Sequence, residues 1–386
     1  MSNNFILKFI FLMFIGTSVI GCSQPIQEGP APTLTHAASP TIIQTLTSTP
    51  QPTDTIEPTS TPTATQTNTP LPPKEVAIQE IPLAGPIAIP KAQISGMAWH
   101  GDTLIMLPQY PEKEPALGTY PSVFTLEKDD VISFIEGRSS EPLIPTRLSF
   151  LGGGLESYIP GYEGYEAIAI DGDKIFLTIE ANDNGSMAGY LVEGTYLVDQ
   201  NSIQIDPSSL AVIPIPVQIF NYAYESLIVS EDELLMIYEA NGVELNPDPY
   251  AIRTDNTLDA FLELGFDNIE YRMTDATRID DNGRFWVLNI FMPIEFWLFT
   301  DSDPIFENFG KGATHSENLN VERLLELQYN GEEAFLTETE PIQLVLDGEL
   351  NARNWEALVV LDDIGFLAMT DTYPDTILAF IPFPNK

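Results

Sequence analysis

Acidic and amide side chains recur at matching positions of a repeated segment, and their spacing decides what chemistry this chain can do. The first residues of the five copies are Ser95, Glu166, Glu225, Asp275 and Glu356. They are separated by 71, 59, 50 and 81 residues along the chain. Each copy runs through two short strands and ends on a polar residue, namely Gln109, Glu180, Glu239, Asn289 or Asp371. This regularity predicts that equivalent side chains meet in space.

Converging carboxylates would form either a metal site or an acid–base site. Two of them about 8 Å apart repel by about 2 kcal/mol at an effective dielectric near 20. Raised pKa values, pairing with backbone amides or arginines, or a bound cation would each relieve this repulsion. Calcium prefers hard oxygen ligands, so it is the cofactor that this set predicts. The candidate ligands are Glu166, Glu225, Asp275 and Glu356, and of these Glu166 and Glu356 are also the catalytic candidates.

Two arginines share a position relative to the acids. Arg272 lies three residues before Asp275, and Arg353 lies three residues before Glu356. We therefore expect both guanidinium groups at the same mouth of the repeat structure. They would either hold a phosphate or carboxylate of the substrate, or each neutralise its neighbouring carboxylate.

The composition excludes several classes of protein. With 56 Asp and Glu against 16 Lys and Arg, the net charge of −40 repels nucleic acids. One cysteine and three histidines leave no zinc ribbon, iron–sulfur cluster or histidine-based metal site. No Gly-rich nucleotide-binding motif occurs, so we expect neither a nucleotide nor a redox cofactor. Such an acidic surface favours a monomer.

The recurring hairpin predicts an all-β fold, a single β-propeller in which each hairpin forms the inner half of a blade. Five copies predict five blades, although the length also suits six, with the sixth inside the 81-residue interval. Residues 76–81 are expected to close the ring by pairing with residues 377–381. The alternative is two unrelated β-sandwiches. Residues 322–327 are the only weak candidate for an amphipathic helix.

Some of these repeats resemble a known family. Asn354-Trp-Glu-Ala-Leu, the strand 365–371 ending in Thr-Asp, and Thr376-Ile-Leu-Ala-Phe resemble the closing repeat of the phytase-like propeller domain, called "esterase-like activity of phytase". Ile94-Ser-Gly-Met-Ala-Trp is similar to its opening repeat, and residues 275–287 to a middle one. The SdiA-regulated propellers are similar too. The resemblance implies hydrolysis of phosphate or carboxylic esters.

The N-terminal part has a different composition. Residues 1–21 resemble a bacterial lipoprotein signal peptide, because a short apolar run leads into Val-Ile-Gly and Cys22, the only cysteine. The resemblance implies a lipid on Cys22 and a protein anchored outside the cytoplasm to the bacterial membrane. Residues 22–74 are rich in Pro and Thr and predict a disordered stalk. The propeller domain would span residues 75–386.

Two functions remain open. The first is a calcium-dependent hydrolase of phosphate or carboxylic esters, in which Arg272 and Arg353 bind the anion. The second is a non-enzymatic binding or scaffold propeller that recognises a protein or glycan. No serine with a nearby base distinguishes them.

Overall fold

A computed structural model describes residues 73–89, 92–112, 120–348, 351–372 and 374–384. The signal peptide, Cys22 and nearly all of the Pro/Thr-rich segment lie outside these residues, so the interpretations of them stay predictions. Within the described ranges, every helix is too short or too polar to cross a lipid bilayer.

The strands form five four-stranded antiparallel blades, as the repeat predicts. From the hub outwards, blade 1 contains β2 (Ile94–His100), β3 (Thr103–Pro108), β4 (Ser122–Glu127) and β5 (Thr146–Leu151). Blade 2 contains β6 (Tyr162–Asp171), β7 (Lys174–Asp183), β8 (Ser186–Leu197) and β9 (Ser202–Ile205). Blade 3 contains β11 (Ser226–Ser230), β12 (Glu233–Ile237), β14 (Tyr250–Asp255) and β15 (Leu262–Phe266).

The last two blades complete the ring. Blade 4 contains β16 (Ile269–Ala276), β17 (Arg284–Phe291), β18 (Val321–Tyr329) and β19 (Glu333–Leu336). Blade 5 contains β21 (Trp355–Leu361), β22 (Gly365–Thr370), β23 (Leu378–Pro382) and β1 (Gln79–Ile81). Each inner strand lies beside the inner strands of the two neighbouring blades, in the order β2, β6, β11, β16, β21 and back to β2.

Several short elements lie outside this frame. The additional strands are β10 (Ala211–Ile213) on β8, β13 (Ala240–Asn241) on β16, and β20 (Ile342–Gln343) on β18. The helices are α1 (Lys128–Ile135), α2 (Leu155–Tyr158), α3 (Pro304–Phe309) and α4 (Ala313–Glu317), with 3₁₀ turns at Val198–Gln200, Pro207–Ser209 and Phe296–Leu298. The interval that could have held a sixth blade contains β18–β20, α3 and α4.

The predicted closure of the ring is confirmed. Strand β1 pairs antiparallel with β23, with Gln79 opposite Phe380 and Ile81 opposite Leu378. The N-terminal segment therefore supplies the outermost strand of the C-terminal blade, and this pairing covers an edge that would otherwise be exposed. The prediction of a helix at residues 322–327 is wrong. These residues belong to β18, where β17 pairs along the whole strand and neighbouring blades bury it.

The core consists of apolar layers between neighbouring blades. One layer joins Leu107 and Phe150 of blade 1 to Ile168 and Leu177 of blade 2, and similar layers fill the other four junctions. Because neighbouring blades cover both faces of an inner strand, those strands are apolar along their length rather than alternating. Two-residue turns with positive φ at Gly101 and Gly172 connect the first hairpins, as their right-handed twist requires.

Candidate functional site at the propeller hub

A β-bulge in four of the inner strands decides which side chain points towards the hub. The pairing with the second strand skips Ser95, Glu166, Thr274 and Glu356. A bulge leaves one residue out of the ladder and redirects its side chain. In blade 3, Glu225 occupies the equivalent place directly before β11.

The bulge in blade 4 corrects the sequence alignment by one residue. Thr274, rather than Asp275, is equivalent to Glu166. Two matching hydrogen bonds support this: Ser95 Oγ donates to the carbonyl of Tyr165, and Thr274 Oγ1 donates to the carbonyl of Trp355, both at 2.6 Å. A shift of one residue turns a strand side chain to the opposite face. The repeat could not reveal this shift, because strand pairing determines it.

Asp275 consequently does not join the other predicted ligands. Its Oδ1 accepts a hydrogen bond from the amide of Ala276 at 2.8 Å, and its Oδ2 accepts one from the amide of Leu358 in blade 5 at 2.6 Å. Burial raises the pKa of Asp275, and these two amides oppose the rise. Pairing with backbone amides, one of the arrangements considered from the sequence, therefore describes Asp275.

The guanidinium of Arg272 lies at the centre of the remaining acids. Its Nη2 donates to Glu225 at 3.2 Å and to Glu356 at 3.1 Å. All five N–H groups of an arginine are donors, and here each has an acceptor. The complete set of acceptors is Glu225, Glu239, Glu295, Asn354 and Glu356. No donor of Arg272 remains for a substrate anion.

Arg353 does not share these acids. Its Nε donates to Glu322 Oε2 at 2.7 Å, and its Nη2 donates to the carbonyl of Val345 at 2.7 Å. The Trp355 indole N–H donates to the same Glu322 oxygen. The expectation that Arg272 and Arg353 form one anion-binding fork is therefore wrong, since each guanidinium is committed to a different group of acids.

Residues at the ends of the second strands enlarge the acidic cluster. Gln109 Nε2 donates to Glu166 Oε1 at 2.9 Å, and Glu239 pairs with Arg272. Asn289 instead accepts a hydrogen bond from Arg323 at 2.7 Å inside blade 4. We define the hub cluster as Arg272 together with the acids Glu166, Glu180, Glu225, Glu239, Glu295, Glu356 and Asp371.

Burial raises the pKa values of several hub acids, among them Glu180 and Glu239. The pKa of Glu180 rises to about 9, chiefly by burial and then by the charge of Glu239. Glu239 reaches about 8 by burial, although its contact with Arg272 lowers the value. Burial outweighs Arg272 at Glu239, because the same guanidinium is shared by four carboxylates. Burial therefore favours the protonated forms of Glu180 and Glu239 at neutral pH.

The pKa shifts separate two acids that are close to each other. Burial raises the pKa of Glu166 strongly, and the charges of Glu180 and Glu356 add to the rise. Burial also raises the pKa of Glu356, but Arg272 and Asn354 hold its ionised form and oppose the rise. Among the described residues Glu166 forms no ion pair. Glu356 therefore loses its proton before Glu166 does.

Two buried carboxylate oxygens of the hub cluster have no hydrogen-bond partner within the described ranges, Glu239 Oε2 and Asp371 Oδ1. A buried polar atom normally has one, so these oxygens are available to a ligand. The predicted calcium site does not fit this arrangement, because the guanidinium of Arg272 already supplies the counter-charge. Across the described part of the chain, no three Asp, Glu, His or Cys side chains are arranged to hold a metal ion.

One loop contributes a hub residue that the repeat does not reveal. Glu295 follows β17 and receives a hydrogen bond from Arg272 at 3.2 Å. Beside it, the Trp297 indole N–H donates to the hydroxyl of Tyr222 at 3.3 Å. The side chains of Ile294, Phe296 and Trp297 are exposed. Because this loop lies outside the repeated hairpins, no sequence signal marked Glu295.

No family model and no curated protein matches the sequence. Several solved structures are similar in chain trace. The family 117 glycoside hydrolase of Zobellia galactanivorans is 10% identical, covers 80% of this chain and 90% of its own, and has a TM-score of 0.43. The GH62 alpha-L-arabinofuranosidase of Coprinopsis cinerea is 10% identical, with coverages of 80% and 98% and a TM-score of 0.42. The alpha-L-arabinanase of Cellvibrio cellulosa is 8% identical, with coverages of 75% and 92% and a TM-score of 0.40.

Proposed function

We propose that this chain is a hydrolase in which Glu356 acts as the general base and Glu166 as the general acid. The observation that carries the proposal is the different surroundings of these two hub acids, of which the charge of Glu356 acts on Glu166. Arg272 and Asn354 donate hydrogen bonds to Glu356, whereas Glu166 accepts one from the side-chain amide of Gln109 and forms no ion pair within the described ranges. Environments that separate the pKa values of two nearby acids are typical of acid–base sites.

The reaction needs both protonation states. The Glu356 carboxylate takes a proton from water as the water oxygen attacks the electrophilic carbon. The protonated Glu166 gives its proton to the departing oxygen as the bond to that oxygen breaks. Glycosidic bonds are cleaved in this way by pairs of carboxyl groups, and the same transfers serve a carboxylic ester.

The substrate class follows from the charge of the hub. An uncharged glycoside or carboxylic ester approaches seven acids without electrostatic penalty. A phosphate ester fits poorly, because each N–H of Arg272 already has an acceptor and the hub cluster has no further cation to pair with a phosphate. A carboxylic ester would agree with the resemblance to the phytase-like domain. No step is assigned to calcium, since Arg272 already supplies a positive charge to four of the seven hub acids.

Chromogenic substrates test the proposal. The purified chain is assayed with nitrophenyl glycosides, nitrophenyl acetate and nitrophenyl phosphate over a range of pH. We expect Glu166→Gln and Glu356→Gln each to lower kcat/KM by about 10²–10⁴-fold, and Glu166→Gln to remove the alkaline limb of the pH profile. Asp275→Asn is the matched control, a buried acid bonded to backbone amides. Equal activity in all three variants would refute the assignment.

A non-enzymatic binding propeller is the second candidate. The observation in its favour is the exposed apolar surface of Ile294, Phe296 and Trp297 beside the hub, since such patches often bind partners. A protein or glycan partner would be bound there. Absence of turnover on every substrate, combined with partner binding that Trp297→Ala abolishes, would favour this candidate over the hydrolase.

Membrane anchorage through Cys22 is part of the proposal as well. The support is the position of the only cysteine directly after an apolar run and Val-Ile-Gly. A lipid at this residue would place the propeller outside the cytoplasm, at the end of the Pro/Thr-rich segment. Labelling with an alkynyl fatty acid and membrane fractionation would test it. Cys22→Ser should lose the label and leave the membrane fraction, and retention of both would exclude this anchor.

A further inference from the structure

The inner strands surround a cavity beside the hub cluster, on the side towards the C-terminal ends of these strands. Glu166, Glu225 and Glu356 are each followed, two residues later, by side chains that line it. Its volume is about 340 Å³, and residues of all five inner strands form its wall. The wall consists of residues 97–99, 168–170, 227–229 and 358–360 together with Ala276, and Arg278, Ile279 and Asp280 form the rim.

The wall of this space is apolar. Among the side chains that line the wall, leaving out the rim, the indole nitrogen of Trp99 is the one N or O atom. Its N–H already donates a hydrogen bond to the carbonyl of Val360 at 2.8 Å. At the rim, Asp280 Oδ1 accepts hydrogen bonds from two amides of its own turn. The interior therefore offers surface for apolar contact and no partner for a charge.

The exposure of the inner strands agrees with an accessible space. Ala98, Ile170 and Val359 retain exposures of 8%, 7% and 6%. Ile105 and Leu367, on the second strands directly behind, retain none. The difference indicates that solvent-sized space borders the inner strands on the hub side only. The exposed side chains of Arg278 and Asp280 mark the end at which it opens.

We propose that this space is a binding site for an uncharged, apolar small molecule. A cavity of about 150 Å³ lined by apolar side chains binds benzene, and ligand pockets begin at about 300 Å³. The volume here suits a molecule of two or three fused or linked rings, or a short alkyl chain. A charged ligand is disfavoured, because burying an unpaired charge among these side chains costs free energy.

A matched pair of dyes tests the proposal on the purified full chain. N-phenylnaphthylamine is uncharged, whereas anilinonaphthalene sulfonate carries the same rings and one negative charge. We expect N-phenylnaphthylamine to bind saturably at one site with a rise in fluorescence, and the sulfonate to bind at least tenfold more weakly. Equal affinity for both dyes would overturn the uncharged class.

Substitutions that fill the space locate the site. Ala98→Leu and Ala169→Leu each add three carbons to its wall, and either should weaken N-phenylnaphthylamine binding at least tenfold. Ala88→Leu adds the same carbons at an exposed position and should leave binding unchanged. If a melting curve shows that the leucine variants do not fold, Ala98→Val replaces them. Binding that survives filling but is lost in Trp297→Ala would place the dye on the exposed loop and refute the site.

Discussion

Replacing Arg272 with methionine should destabilise the propeller in a strongly pH-dependent way. The substitution keeps a long side chain but removes the cation that forms ion pairs with Glu225, Glu239, Glu295 and Glu356. Removing one partner of a buried ion pair leaves uncompensated charge on the other. The acids must then bind protons or remain ionised without a partner, and the cost of either depends on pH.

The size of the effect follows from burial and domain length. Loss of one partner from a buried pair costs about 3–5 kcal/mol. A domain of roughly 310 residues unfolds with an entropy of about 0.65 kcal/mol/K, so this loss lowers Tm by about 5–8 °C near pH 8. Lowering the pH towards 5 favours the protonated acids, because the pKa of Glu239 is raised to about 8 and those of Glu225 and Glu356 are raised as well. The loss of Tm should therefore fall to less than half at pH 5.

Calorimetry of wild type and variant at pH 5, 6, 7 and 8 measures this difference. Arg138→Met is the control, because Arg138 pairs with Glu136 at the surface, where an ion pair contributes about 0–1 kcal/mol. Adding Glu239→Gln to Arg272→Met should recover part of the lost stability at pH 8. An Arg272→Met penalty that is equal at pH 5 and pH 8 would refute the shared-cation account of the hub.

Three further outcomes are expected. Because the pKa values of Glu180 and Glu239 rise to about 9 and about 8, the folded state binds more protons than the unfolded state. The free energy of unfolding should therefore fall from pH 5 to pH 9, by up to about 1.4 kcal/mol per pH unit and proton. Urea titrations in roughly 0.5 M salt, which screens surface charges, should show a smaller dependence of this free energy on pH for Glu180→Gln than for wild type. Asp275→Ala leaves the buried amides of Ala276 and Leu358 without a hydrogen-bond acceptor and should lower the free energy of unfolding in urea by about 2–5 kcal/mol without changing KM. A variant with unchanged stability but lost activity would contradict a structural role for Asp275. EGTA and excess Ca²⁺ should give the same Tm, whereas a rise of several degrees with stoichiometric Ca²⁺ by metal analysis would restore calcium as the hub cation.

The positions of the second strands and the closure of the ring could be predicted from the sequence. The second strands predicted at residues 103–107, 174–179, 233–238, 284–288 and 365–369 begin at the same residues as β3, β7, β12, β17 and β22. Their predicted ends lie between four residues before and one residue after the observed ends. Their apolar content and bounding turns are local properties, so the sequence alone reveals them. The pairing of β1 with β23 was predictable too, because a propeller without it leaves an edge strand exposed.

The hub was only partly predictable. Glu166, Glu225 and Glu356 share the repeat position that the strands bring to the axis, and the alignment was sufficient to find them. In blade 4 the alignment selected Asp275, whereas pairing between β16 and β17 places the bulge at Thr274. A bulge is set by hydrogen bonding between strands, which a repeat in residue type does not record.

The sequence by itself determined the repeated hairpin, the closing strand and the surplus of acids at the hub, because each depends on residue types at regular intervals, and the structure decided between five and six blades. Only the tertiary structure decided which cation serves those acids. Arg272, in blade 4, pairs with acids of blades 3 and 5 and with Glu295 from a loop outside the repeat, whereas Arg353 pairs with Glu322. The physical reason is that a guanidinium pairs with whatever carboxylate lies within about 3 Å of its donors, and that distance exists only after the blades have packed.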